Sequence, residues 1–136
     1  IPHNYTPDTV AYTGTHDNEV VNGWYANLSE EQQAFLNTYI HRSQDEKITE
    51  AMLRSLYASV SHITIATMQD LLDKDETSRM NTPNTLGGNW QWRMLEEDLT
   101  QDKKDFLTSI TELYARDNTS LVTTKKQLEE EDNDND

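Results

Sequence analysis

Two polar loops carry the side chains of this sequence that could take part in chemistry. The first, at residues 13–18, reads TGTHDN and contains an imidazole, a carboxylate and an amide. The second, at residues 79–93, combines Asn81 with Trp90 and Trp92. Carboxylates and amides form hydrogen bonds with hydroxyl groups, and flat indole rings cover the apolar face of a pyranose. Together the two loops favour a site that recognises sugars.

Each of these residues also has a simpler structural interpretation. Asp and Asn residues that follow a strand usually form turns, and tryptophans in loops more often fill a core than stack on a sugar. One residue alone therefore predicts little about function. A shared function requires the combination of these residues and elements that bring them together.

The composition restricts the partners that the chain can have. Its 136 residues suit one domain, and the absence of cysteine excludes disulfides, thiolate zinc sites and a cysteine nucleophile. The net charge of −14 makes nucleic acid and anionic membrane surfaces poor partners. No apolar run approaches the roughly 20 residues that span a bilayer, and no signal-peptide pattern opens the chain. We therefore expect a cytoplasmic protein.

Two short strands precede the polar loops. Runs of β-branched residues predict strands at 10–12 and 62–67. A short helix is expected at about 20–25, and a polar turn or short helix at 68–75. The segment 79–93 is rich in Asn, Gly and Pro, which predicts a long loop of the kind that is often functional.

Three longer helices are predicted from capping signals and apolar periodicity. Ser29 and Gln32 have capping-box spacing and predict one helix start. Ser43 and Glu46 form a second such pair, which predicts a helix that runs to Val60. The last helix is expected at 101–117, after Thr100. Its inward face would be formed by Phe106, Ile110, Leu113 and Tyr114.

The predicted order of strand, loop, helices, strand, loop and helix is a βαβα unit. Two strands do not make a parallel sheet that is stable alone, because each would expose an unpaired edge. We therefore expect the helix-rich C-terminal part of a larger α/β fold, covering residues 1–118. The first residue is Ile1 rather than Met, which fits a piece of a longer chain. Residues 119–136 are predicted to form an acidic, disordered tail.

Four segments in this order resemble the 4-α-glucanotransferases, also called amylomaltases or disproportionating enzymes, of glycoside hydrolase family 77 in the α-amylase superfamily. They read YTGTHDN, QDLL, RMNTP and GNWQWR, and the resemblance covers roughly residues 2–117. It implies a (β/α)₈ TIM barrel, of which this chain resembles strands seven and eight with their helices. It also implies retaining transfer of an α-1,4-glucan segment to a glucose or glucan acceptor.

The resemblance implies roles for individual residues. Asp17, in the THD motif, would be the catalytic carboxylate that binds the 2- and 3-hydroxyls of the transferred sugar. His16 would position the same sugar, and Asn81 would contact sugar near the cleavage point. Trp90 and Arg93 are expected to hold their loop in shape rather than to bind sugar.

The family's nucleophile and acid/base lie on earlier strands, so the segment is expected to need the missing N-terminal part of the barrel and to be inactive alone. The expected partners are maltooligosaccharides or α-1,4-glucan. No cofactor is implied, and the four histidines lack the spacing of a metal site.

The sequence departs from the family pattern at several positions. The usual THDND reads THDNE, a change that falls beyond the catalytic Asp. The usual PLQDLLGLG lacks its two glycines at residues 67–75, so a positive-φ turn there must be strained or different. The usual NxPGT has Asn84 in place of glycine, and Asn tolerates the left-handed region.

A different class of protein is also compatible with the sequence. A non-catalytic acidic helical interaction module would explain the helix content, the net charge and the missing nucleophile and acid/base. The two interpretations differ in whether the polar loops form one site.

Overall fold

The computed structural model describes residues 1–117, so the predicted tail at 119–136 lies outside the described residues. Two parallel strands, β1 (Val10–Tyr12) and β2 (Ile63–Ile65), pair with each other. Val10 lies opposite Ile63, and Tyr12 lies opposite Ile65. β2 is shorter than the predicted strand 62–67. The His62 N–H donates to the Pro7 carbonyl, before β1, and Thr67 already caps the next helix.

The remaining regular structure of residues 1–117 is helical, which confirms the predicted helix-rich α/β architecture. The described α-helices are α1 (Val21–Ala26), α2 (Glu30–Tyr39), α3 (Ile48–Tyr57), α4 (Met68–Leu71) and α5 (Gln101–Leu113). Short 3₁₀ turns lie at Pro2–Asn4, Glu76–Ser78 and Glu96–Asp98. Among the helices of residues 1–117, none has the length and apolar content needed to cross a membrane.

One predicted capping box is confirmed and the other is wrong. The Ser29 hydroxyl accepts the Gln32 N–H, and the Gln32 side chain accepts the Ser29 N–H at 2.9 Å. Ser43 starts no helix, because α3 begins at Ile48. The carboxylate of Glu46 accepts the Ser43 N–H at 3.3 Å, but it also pairs with the Arg54 guanidinium at 2.8 and 2.9 Å. The ion pair with Arg54 thus holds the Glu46 side chain against α3, and Glu46 is not part of the first turn of a helix that starts at Ser43.

α3 is the central helix, because it packs in both apolar clusters. One cluster joins α1 and α2 to α3, and the other joins α3 to α4 and α5. The prediction that Val60 and Leu113 face inward is wrong, since they are 56% and 70% exposed. Val60 lies beyond the end of α3. Phe106, Ile110 and Tyr114 repeat every four residues, so their shared face turns away from Leu113.

The strand pair is covered on one face only. Ala11 in the middle of β1 is buried, whereas the alternate side chains of the opposite face are about half exposed. These are Val10, Tyr12, Ile63 and Ile65. An apolar face of this kind on a parallel sheet is normally covered.

A buried carboxylate fixes the ends of both strands. Asp70 in α4 is 3% exposed and accepts hydrogen bonds from the Val21 N–H at 2.9 Å and the Thr67 hydroxyl at 2.7 Å. The Thr13 hydroxyl donates to the same carboxylate. Thr13 follows β1, Thr67 follows β2, and Val21 begins α1. One side chain therefore holds both ends of the loop at 14–20 beside the end of β2.

Removal of this anchor is expected to destabilise the protein. Asp70→Ala in the full-length protein that contains this segment leaves buried donors without an acceptor, which should lower the free energy of unfolding by about 3 kcal/mol. Urea unfolding followed by tryptophan fluorescence measures the change. The exposed Asp45→Ala is the control and should change stability by less than about 0.5 kcal/mol. Equal effects of the two substitutions would show that Asp70 is not an anchor.

The pair of Glu46 and Arg54 is expected to make stability depend on pH. Hydrogen bonds from Arg54 hold the pKa of Glu46 below its ordinary value of 4.5, against the opposing effect of burial. A lowered folded-state pKa stabilises the fold above the unfolded pKa, and this stabilisation is lost as the pH falls through the folded value.

Glu46→Gln should therefore cost about 1 to 2 kcal/mol at pH 7 and much less near pH 3. Urea unfolding at the two pH values checks this, with the exposed Glu97→Gln as control. A cost that stays the same from pH 7 to pH 3 would contradict the pairing.

Candidate active site

The two polar loops meet through a direct contact between Asp17 and Asn81. The Asn81 amide donates to Oδ1 of Asp17 at 2.6 Å, and the Asn81 backbone N–H donates to the His16 carbonyl at 3.0 Å. Nε2 of His16 lies 3.3 Å from the same carboxylate oxygen. The structure therefore brings the three predicted site residues together, although Asp17 and Asn81 lie 64 positions apart in sequence.

The carboxylate at this contact is accessible. The side chains of His16 and Asp17 are 54% and 48% exposed. Oδ1 of Asp17 accepts from Asn81 and lies beside His16, whereas Oδ2 accepts no hydrogen bond from any residue in 1–117. An oriented, exposed carboxylate beside an amide and an imidazole can bind adjacent hydroxyl groups of a sugar.

Trp90 lies beside this contact rather than in the core. Its ring centroid is 4.9 Å from that of His16, and the residue is 53% exposed. Its backbone N–H donates to the Met80 carbonyl at 2.7 Å. Arg93 donates to the carbonyls of Trp90 and Trp92 at 3.0 and 2.7 Å. Arg93 thus holds the loop backbone, and Trp90 limits the positions open to the His16 ring.

An open cleft of about 280 Å³ lies next to the contact. This volume is near the lower end of the range for ligand pockets, roughly 300 to 1,000 Å³. Asp17 and Asn81 do not line the cleft, whereas His16 does. The lining residues are Gly14, Thr15, His16, Asn18, Glu19, Val20, Thr67, Gln69, Asp70, Met80 and Trp90. His16 thereby connects the cleft to the exposed carboxylate of Asp17.

Two of the three positions that lack a family glycine adopt positive φ, whereas the third, Asp75, has an ordinary φ of −89°. Asp73 has φ of 58° and Asn84 has φ of 63°. The strain at Asp73 is offset by its carboxylate, which accepts from Asn22 at 3.0 Å and Thr49 at 2.8 Å and pairs with Lys47 at 3.1 Å. Burial alone would raise the pKa of Asp73, but these three partners hold it below its ordinary value. The turn at Asp73 therefore keeps the positive φ that a glycine would adopt, but hydrogen bonds of the Asp73 carboxylate stabilise it instead.

Arg79 contacts both loops of the candidate site, although the sequence predicted no individual role for it within the RMNTP segment. Its Nη2 donates to the Asp17 carbonyl at 2.9 Å, and its Nε donates to the Asn81 carbonyl at 3.0 Å. Both contacts use backbone oxygens, which leave no signal in the identity of the acceptor residue. Within residues 1–117, no group of three or more His, Asp or Glu side chains is arranged to hold a metal ion.

Comparisons with known proteins identify the family. The family model described as 4-alpha-glucanotransferase, glycoside hydrolase family 77, matches residues 1–100. The 4-alpha-glucanotransferase of Streptococcus pneumoniae is 48% identical over 126 residues, which are 92% of this chain and 25% of that protein. The chloroplastic/amyloplastic 4-alpha-glucanotransferase of Oryza sativa subsp. japonica is 44% identical over 94 residues, 69% of this chain and 16% of that protein.

A solved structure agrees with these sequence matches. The amylomaltase from Streptococcus agalactiae, in complex with acarbose, superposes with a TM-score of 0.85 at 62% identity. The match covers 87% of this chain and 24% of that chain. The chain thus spans about a quarter of the length of these bacterial relatives. These matches favour the enzyme interpretation over the interaction module, and the chain belongs to the 4-alpha-glucanotransferases of glycoside hydrolase family 77.

Proposed function

We propose that the full-length protein containing this segment transfers an α-1,4-glucan segment to a glucose or glucan acceptor by a retaining double displacement. The observation that carries the proposal is the 2.6 Å hydrogen bond from Asn81 to Asp17, which joins the THD and RMN motifs in one exposed site. The acarbose complex of the Streptococcus agalactiae relative supports oligosaccharides as ligands. Maltooligosaccharides are the proposed substrates.

The proposed architecture is a (β/α)₈ barrel in which β1 and β2 are strands seven and eight. Parallel pairing of the two strands supports this, and so does their half-exposed apolar face. In a barrel that face would pack against side chains from other strands in the interior. The polar loops follow the carboxyl ends of β1 and β2, which is the active-site end of such barrels. The cytoplasmic location stays a prediction.

In this proposal Asp17 acts on the sugar ring that becomes positively charged. Hydrogen bonds from the 2- and 3-hydroxyls to its carboxylate would strengthen as the ring flattens toward an oxocarbenium ion. Because such bonds are stronger in the transition state than in the ground state, they lower the barrier. Asn81 occupies Oδ1 and thereby orients Oδ2, while His16 positions the hydroxyls of the same ring. The nucleophile and the acid/base would come from the N-terminal part of the barrel.

Asp17→Asn in the full-length protein should reduce kcat by about 10²- to 10³-fold, as expected for a lost electrostatic group at the reaction centre. The shape of the side chain is retained, so glucan binding should change much less. Disproportionation of maltotriose measures kcat and KM. Asp45→Asn, an exposed substitution outside both loops, is the matched control. Equal kcat for Asp17→Asn and the parent protein would remove Asp17 from the mechanism.

Asn81→Ala should have a milder effect that appears partly in glucan affinity. Loss of one hydrogen bond to a charged group is worth about 1 to 2 kcal/mol, or about tenfold in kcat/KM. Isothermal titration with a maltooligosaccharide and steady-state kinetics separate binding from turnover. The exposed Asn4→Ala serves as control. Unchanged binding and unchanged kcat in Asn81→Ala would show that the amide contacts neither the sugar nor a catalytically relevant Asp17.

A further inference from the structure

Arg79 joins the two polar loops at their backbones. Nη2 donates to the carbonyl of Asp17 at 2.9 Å and Nε donates to the carbonyl of Asn81 at 3.0 Å. The side chain is only 19% exposed, so it is held against the protein between the loops. A guanidinium is planar and presents its N–H groups in a fixed fork, so two acceptors bound to one guanidinium keep a fixed separation.

The two carbonyls that accept from Arg79 belong to the two residues whose side chains meet at the site. The hydrogen bond to the Asp17 carbonyl holds the backbone from which the carboxylate projects, and the Asn81 amide then limits the side-chain rotations that remain. The carbonyl of Asn81 similarly fixes the residue whose amide bonds that carboxylate. Arg79 therefore restrains the backbones of both residues of the 2.6 Å contact. Its guanidinium is mostly buried and points to these backbone carbonyls rather than to solvent.

Glu76 pairs with the Arg79 guanidinium, and the Glu76 side chain lies against Gly23 in α1. Nη1 of Arg79 lies 3.3 Å from Oε1 of Glu76. A Cβ added to Gly23 would lie 2.1 Å from Oε2 of the same carboxylate, which is far inside contact distance. Glycine inside a helix costs roughly 1 kcal/mol relative to alanine. The Glu76 side chain therefore lies directly against α1 at Gly23.

We propose that Arg79 is a positioning residue that helps to fix the direction of the Asp17 carboxylate for glycosyl transfer, and that the ion pair with Glu76 holds Arg79 in place. The proposal rests on the proposed function, because it acts through the role of Asp17 there. Arg79 itself does not contact the sugar. Its effect should consequently appear in turnover and only slightly in substrate binding.

Arg79→Lys in the full-length protein provides the first test. An ammonium keeps the charge but cannot span both carbonyls, and a misplacement of about 1 Å can reduce turnover about 10²-fold. We expect kcat for maltotriose to fall by about that factor, while KM changes less than about threefold. A rise in KM with unchanged kcat would overturn the proposal, because it would place Arg79 in direct contact with substrate.

Arg42→Lys is the matched control. Arg42 also bridges a backbone carbonyl and a second group, since it donates to the Glu46 carbonyl at 2.7 Å and lies 3.3 Å from the Tyr25 hydroxyl. It lies outside both polar loops. Its substitution should leave kcat and KM unchanged. An equal fall in kcat for both arginine variants would overturn a specific role for Arg79.

The decisive test is the dependence of the Arg79 effect on Asp17. In an Asp17→Asn background there is no carboxylate to direct, so Arg79→Lys should cost less than about threefold in kcat. The same loss of about 10²-fold in both backgrounds would overturn the positioning role and leave the proposed function intact. Unchanged kcat in Asp17→Asn alone would instead overturn the proposed function, and the positioning role with it.

Glu76→Gln tests the same proposal without altering the arginine, should Arg79→Lys fold poorly. It weakens the ion pair and retains the shape of the side chain. An exposed ion pair contributes less than about 1 kcal/mol, so kcat should fall by about two- to fivefold with Asp17 present and remain unchanged in Asp17→Asn. An equal fall in both backgrounds, or no fall in either, would overturn the role of Glu76 as the support of Arg79.

Discussion

The carboxylate of Asp70 is the contact on which the geometry of the site depends. It is almost fully buried and accepts hydrogen bonds from Thr13, Val21 and Thr67. A buried carboxylate is stable only when its hydrogen-bonding capacity is satisfied, so these three donors have little freedom to move. Since they mark the ends of β1 and β2 and the start of α1, the loop that carries Asp17 is fixed at both ends independently of its exposed contacts.

This anchor explains how a half-exposed contact between Asp17 and Asn81 can be well directed. Surface hydrogen bonds and ion pairs are individually weak because they compete with water and with side-chain entropy. When the loop ends are already held, a few such bonds need to fix only the remaining rotations. Arg79 does so with two backbone acceptors, and Trp90 limits the His16 ring. The buried contacts of Asp70 thus supply most of the stability of this region, and the exposed contacts determine the orientation of the Asp17 carboxylate.

The parts of the fold that the sequence predicted are those determined by local interactions. Ser29 and Gln32 form their capping box because both partners lie within one turn. The same spacing at Ser43 fails because Glu46 pairs with Arg54, a contact that depends on the packing of α3. A left-handed turn at Asp73 was suggested only by the glycine that the family has there, and the three partners that stabilise the turn were not predicted, since they come from other elements.

The candidate site was predictable to a similar extent. Neighbouring parallel strands bring their carboxyl ends to one edge, which is why the loops of Asp17 and Asn81 could be expected to meet. The roles of single residues came from the family resemblance rather than from composition or spacing. Arg79 was missed because its acceptors are backbone carbonyls, one of them 62 residues away. A glycine inside a predicted helix, Gly23, was the one local sign of a close approach, and it did not identify Glu76.

The proposed role of Asp17 requires that its carboxylate point toward a bound sugar. A crystal structure of the full-length protein with acarbose measures this most directly. We expect oxygens of Asp17 to lie within about 3.2 Å of two adjacent hydroxyls on one ring. The Arg79 guanidinium should still donate to the Asp17 carbonyl. A ligand seated in the active site with Asp17 turned to solvent, beyond hydrogen-bonding distance of every hydroxyl, would contradict this role.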